Sequence, residues 1–185
     1  MNRLVLPLAA ICAAAAFATS SPSAGTLPPI ELAAPATPIV HCQIPCGIYG
    51  DQMRIDMLME DAATIEKGMT QLIAMDGEKA PSKNQMVRWV MNKDQHSQSI
   101  QEMVAAYWLA QRIKTPKDTS DEAAMKKYHG QLETMHRITV AAMKCKQTTD
   151  VANVNELRRL ALEFSSTYFG PEDLKHINEH HGGAK

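Results

Sequence analysis

The chain has 185 residues, with 19 Lys and Arg against 20 Asp and Glu and a formal net charge of −1. That balance excludes the dense cationic surface that nucleic acid or an anionic membrane would select. With 45% hydrophobic residues, the composition and length suit one globular domain with a core of its own.

The first forty residues stand apart. Met1, Asn2 and Arg3 make a short positive start, Leu4 to Ala18 is an apolar run, and Ala16-Phe17-Ala18 is a small-residue pattern that a signal peptidase could cut. The run is shorter than the about 20 apolar residues of a membrane-spanning helix. Export to a periplasmic or extracellular location is therefore expected, with no membrane association of the mature form. From Thr19 to Val40 five prolines lie among Ser, Ala and Thr, and Glu31 is the only charge. Such a segment cannot bury a core and reads as an extended spacer. Residues 1–40 are thus expected to be a signal peptide and propeptide, the second removed by a dedicated processing protease.

Residues 41–50 follow as His41-Cys42-Gln43-Ile44-Pro45-Cys46-Gly47-Ile48-Tyr49-Gly50, a tight, cysteine-bearing segment. Of the four cysteines, Cys12 leaves with the leader, and Cys42, Cys46 and Cys145 remain. Three is an odd number for a disulfide framework.

Residues 51–170 then read as all-helical. From Asp51 to about Met75, Ile55, Leu58, Ala62, Ile65, Met69, Leu72 and Ile73 recur at helical spacing, and Asp76-Gly77 stops the run. Pro81-Ser82 starts a second helix that reaches about Lys114, with Val87, Val90, Ile100, Val104, Tyr107, Trp108 and Ile113 as its apolar set. A third opens at the candidate caps Thr119 and Ser120 and carries Met125, Tyr128, Leu132, Met135, Ile138 and Met143 to about Gln147. A fourth begins near Asp150, buries Val151, Val154, Leu157, Leu160, Ala161 and Phe164, and fades before Gly170-Pro171. No segment alternates as strands do, so the expected fold is all-α, an antiparallel four-helix bundle preceded by an N-terminal metal-binding hook. Residues 171–185 read as a polar tail with His176, His180 and His181, solvated or at most a weak metal scavenger.

Within the helices, Asn92 to Ser99 spells two turns with no apolar side chain inside an otherwise amphipathic run. It is either a solvated bulge or a polar contact with another element or subunit. The twelve methionines fall mostly at core spacing and read as gap-filling core residues. His129 and His136 lie seven apart on one face of the third helix and read as surface or core histidines rather than ligands, and Cys145 reads as a lone thiol on a last helical turn.

The hook carries the chemistry. If the chain is cut before His41, that residue gains a free amine. The amine, the Cys42 backbone nitrogen and the Cys42 sulfur can then bind one metal in fused five-membered rings, and the turn through Ile44-Pro45 brings the Cys46 sulfur to the fourth corner. The His41 imidazole can reach an axial position. Planar coordination by two nitrogens and two thiolates selects nickel(II) or copper(II) over zinc. The alternatives are a Cys42–Cys46 disulfide stapling a secreted helical binding protein, and a copper carrier using the same thiols.

His41 to Tyr49 resembles the hook H-C-x-x-P-C-G-x-Y that opens mature nickel superoxide dismutases. The resemblance implies a homo-oligomer, a hexamer of four-helix bundles, with one nickel ion per subunit held by His41, Cys42 and Cys46 and cycling between nickel(II) and nickel(III). The implied reaction converts superoxide to dioxygen and hydrogen peroxide. Tyr49 would gate the open face, and Asp56, in Arg54-Ile55-Asp56, would support the histidine ligand. Gln43 stands where the family often has Asp, and Gly50 replaces an acid. His96 falls at an arginine position, and Gln111 falls near a second tyrosine. Arg88 and Trp108 align by helix position alone.

Overall fold

A computed structural model describes Gly47 and residues 49–181. The expected leader over residues 1–40 and the hook residues His41, Cys42 and Cys46 lie outside the described residues. Among those described, the fold is all-helical: α1 (Asp51–Asp76), α2 (Lys83–Met103), a π-helical segment (Val104–Arg112), α3 (Glu122–Gln147), α4 (Val151–Tyr168) and α5 (Pro171–His181).

The helix ends follow from local chemistry. The Ser82, Asp121 and Asp150 side chains accept hydrogen bonds from the first-turn amides of Gln85, Ala124 and Ala152, each answering one of the donors that a helix start leaves unpaired. The cap of α3 is thus Asp121 rather than Thr119 or Ser120. Ser120 instead donates its backbone and hydroxyl hydrogens to Asp118 Oδ1 in the turn just before.

Long-range pairs fix the packing direction. Asp51 meets Tyr107, Asp61 meets His96, and Gly68 faces Trp89 and Lys93, so numbers rise along α1 as they fall along α2. Gln101 reaches Thr139 and Lys93 reaches Lys146 between α2 and α3. Gln131 reaches Thr167 between α3 and α4. Arg158 reaches Glu66 and Tyr168 reaches Asp51 across α1 and α4. Four antiparallel helices therefore close round one core, in which Leu58, Ile65, Met69, Ile100, Trp108, Met135, Ile138, Leu157 and Phe164 are fully buried. Removing that apolar surface from water is the main driving force for the fold.

Some expected core positions face outward. Ile73, Val87, Val90 and Met143 are exposed, as are Met53, Met57 and Met91, so the methionines divide between core and surface. Midway along, α2 is held by polar contacts in place of apolar ones. Lys93, only 2% exposed, donates to the carbonyls of Cys145 and Lys146, each at 2.7 Å, and so satisfies the open end of α3. Ser97 is buried against the Lys93 carbonyl at 2.8 Å, and His96 Nδ1 lies 2.6 Å from Asp61 Oδ1. The polar stretch Asn92 to Ser99 is thus a contact with α1 and α3 of the same chain.

The second helix changes character at Val104. From there to Arg112 it is wound as a π-helix, closed by Ile113 N–H donating to the Trp108 carbonyl five residues back at 2.8 Å. Helical spacing predicts one continuous α-helix here. The wider π turn is uncommon and often accompanies functional sites. Residues 171–181 also differ from a solvated tail: they form α5, docked on α1 and α4 through the fully buried Ile177.

Candidate functional site

The chain enters α1 through Gly47, whose φ of +76° is a left-handed conformation that favours glycine. The turn comes directly after Cys46, and Tyr49 follows two residues later. The Tyr49 ring is gripped by the bundle. Arg112 places its guanidinium carbon 4.1 Å from the Tyr49 ring centroid, and the Tyr107 ring meets it edge-on with centroids 6.0 Å apart. Both are attractive geometries for an aromatic face. Tyr49 itself remains 41% exposed.

Asp51 organises this grip. Its Oδ1 accepts hydrogen bonds from Tyr107 Oη at 2.5 Å and Arg112 Nε at 2.8 Å, and its Oδ2 from Arg112 Nη2 at 2.5 Å and Tyr168 Oη at 2.8 Å. One carboxylate thus ties the start of α1 to the π-helical segment and the end of α4. Burial alone would raise the Asp51 carboxyl. The hydrogen bonds of Arg112, Tyr107 and Tyr168, with the Arg112 charge, outweigh burial and hold it below its ordinary value. Burial first, and the Asp51 hydrogen bond second, push the Tyr107 hydroxyl up to about 12. Behind this shell Trp108 packs edge-on against Tyr107, Phe164 and Tyr168, with centroids 4.9 to 5.1 Å apart. Tyr49, Gly50, Arg112, Tyr168 and Asp173 line an open cleft of about 490 Å³.

Of the residues expected from sequence, Tyr49 lies in this cleft. Asp56, one turn further along α1, has His181 Nε2 at 2.8 Å from its Oδ1, so the described residues give it a partner from α5. His41, Cys42 and Cys46 lie outside the described residues. Gln111 is buried and donates to the Ala106 carbonyl at 2.8 Å. Cys145 is buried, and that burial, against a smaller lowering by Lys93, pushes its thiol up to about 11. It carries little of the thiolate that reactivity requires. Among the described residues no group of three or more His, Cys, Asp or Glu side chains could hold a metal.

Residues 34–171, most of the chain, match the family described as nickel-containing superoxide dismutase. The chain belongs to that family. No curated protein matches it, and no solved structure does. As a nickel superoxide dismutase it is an oxidoreductase acting on superoxide, with nickel as its cofactor. The matched stretch covers the hook sequence, and the donor chemistry there fits the metal: two thiols, an imidazole and a backbone suited to a tight turn. All of α5 after Pro171 lies beyond the match.

The network of Asp51, Tyr107, Arg112 and Tyr168 was not legible in the sequence. Its members are separated by 56, 61 and 117 positions from Asp51, and no motif joins them. The one local signal was two tyrosines and an arginine at the ends of apolar helical runs, where a side chain can reach the bundle rim.

Proposed function

We propose that nickel is bound at the N-terminus of a four-helix bundle by the His41 amine and imidazole, the Cys42 backbone nitrogen and the thiolates of Cys42 and Cys46, once residues 1–40 have been removed after export. The observation that carries this reading is that the segment H-C-x-x-P-C-G-x-Y ends on Tyr49, the residue that the bundle grips through Arg112 and Tyr107. A hook of nine residues has no core of its own and needs such an anchor.

Bound nickel supplies a one-electron redox couple, oxidising one superoxide to dioxygen and reducing a second, with two protons, to hydrogen peroxide. The rest falls to the chain. The two thiolates and the deprotonated Cys42 backbone amide would donate the electron density that makes the higher oxidation state accessible. Tyr49, half open to solvent at the cleft, narrows the approach and offers a hydroxyl to order water or the incoming anion. Narrow access also protects the thiolates, which peroxide would otherwise oxidise. Asp56 orients the imidazole side of the hook. The reading includes a homo-oligomer, a hexamer, with one nickel per subunit. Exposed Met53 and Met57 on α1, and Ile73, Val87, Val90 and Met91 nearer the α1–α2 connection, support a partner on these helices.

The test compares protein starting at His41 with protein carrying one extra residue before it, and with His41→Ala. The extra residue keeps every side chain but converts the amine to an amide, so nickel and turnover should both be lost. His41→Ala keeps the amine, so nickel should be retained while most turnover disappears. Equal nickel content and equal turnover in the trimmed and extended forms would overturn the reading.

A further inference from the structure

Helix α5 continues past the stretch that matches the family, yet it is a built part of the fold. Ile177 is fully buried, and His181 holds Asp56. Docked by those contacts, α5 leaves His176 and His180 exposed. They stand at i and i+4, hence side by side on the helix surface, with ring centroids 4.3 Å apart. Among the described residues neither ring takes part in a hydrogen bond or ion pair, in contrast to His181.

That separation is close to the one a shared metal ion requires. With metal–nitrogen distances of about 2.0–2.1 Å, two imidazoles on adjacent coordination sites have ring centres about 4.5 Å apart at a right angle and about 5 Å apart at the tetrahedral angle. The observed value lies nearer the right angle, which suits octahedral or square coordination. We propose that His176 and His180 form a second metal site, a surface chelate for a divalent transition ion of the nickel(II) or copper(II) kind, separate from the hook. Water completes the coordination, because the described residues bring no third ligand to the pair. His176-Ile177-Asn178-Glu179-His180 also fits H-x-x-E-H, the spacing at which some zinc peptidases place two ligands and a catalytic glutamate. Hydrolysis needs a third protein ligand and a substrate cleft, so the pair here serves binding alone.

The experiment is dialysis of the nickel-loaded protein against rising nickel(II), with bound metal counted per chain. Wild type should take up one ion beyond the hook. His176→Asn and His180→Asn should each lose that ion. So should the exchange of Lys175→His with His176→Asn, which keeps all seven histidines but sets the rings five residues apart, on different faces of the helix, with no other histidine three or four residues away. All these positions are exposed, so the fold and superoxide turnover should be unchanged. Nickel uptake equal to wild type in any one of these variants would overturn the proposal; in the exchange variant it would mean adventitious binding to separate imidazoles. Because the comparison is between variants, an empty hook would alter the baseline only, and failure of the dismutase reading stays distinct.

Discussion

Arg112 grips both oxygens of Asp51, with Nε 2.8 Å from Oδ1 and Nη2 2.5 Å from Oδ2, across 61 positions of sequence. The same guanidinium carries the ring of Tyr49 on its other side. Planarity matters to both contacts, because a fork matches a carboxylate and a flat cation matches an aromatic face. Arg112→Lys should therefore retain the charge yet lose the fork and the stacking, costing about 1–2 kcal/mol, and Arg112→Ala about 2–3 kcal/mol. Urea unfolding measures both. Turnover should fall further than stability explains, since Tyr49 loses its support. A lysine variant with unchanged stability and activity would show that charge alone suffices.

Acid should expose the role of Asp51. Its carboxyl is held below the ordinary 3.8, so its contribution to stability is fully present above that value and is lost as pH falls through the folded one. The difference in unfolding free energy between wild type and Asp51→Asn should stay constant above about pH 5 and shrink below about pH 4. A difference that persists unchanged at about pH 2 would mean that shape, not charge, makes the contact.

Alkali should separate the tyrosines. Of the four in the chain, Tyr107 is pushed up to about 12 and Tyr168 further still, in both cases by burial first and then by the hydrogen bond to Asp51. In an absorbance titration of tyrosinate these two should ionise last. Asp51→Asn, which removes the anion that a tyrosinate would have to face, should bring both down. An unmoved late phase in that variant would assign the whole shift to burial.

Lys93 offers a test remote from the cleft. Its ammonium satisfies two carbonyls at the end of α3 and an oxygen of Asp94 at 2.9 Å. Lys93→Met keeps the stem and leaves the carbonyls open, at a cost of about 2–3 kcal/mol. Amide exchange should quicken over the last turn of α3 ahead of the core. Uniform exchange throughout would show that the turn holds without its cap.

The contrast between these residues explains what the sequence could show. Helix starts were legible at Ser82 and Asp150, where one side chain acts on its own turn, whereas at α3 three cap-type residues lie close together and the cap fell on Asp121, just past the candidates Thr119 and Ser120. The burial of Leu58, Ile100 and Leu157 was legible because period and burial coincide. Val87, Val90 and Ile73 had the spacing but not the burial, since spacing reports a face without saying whether anything covers it. The hook motif stood out because its residue types are rare together, and it led to the same family that residues 34–171 match. Asp51 gave no sign, because a carboxylate opening a helix is ordinary until three distant donors converge on it. At Asn92 to Ser99 the sequence left a solvated bulge and a polar contact open, because polar side chains that satisfy one another inside a fold have the same composition as those that satisfy water.

The π-helical segment also sets an angular register. An α-helix advances about 100° per residue, whereas a π turn closes its hydrogen bond one residue later. A π turn thus takes one residue more for about the same rotation, so rewinding a turn of Val104–Arg112 as α-helix at constant length would swing one flank relative to the other by about a quarter of a circle. With Trp108 kept in the core, the residues before it would rotate; with Ile100 kept, Arg112 would turn away from Asp51. The π winding of this segment is therefore part of what aims Arg112 at the root of the hook.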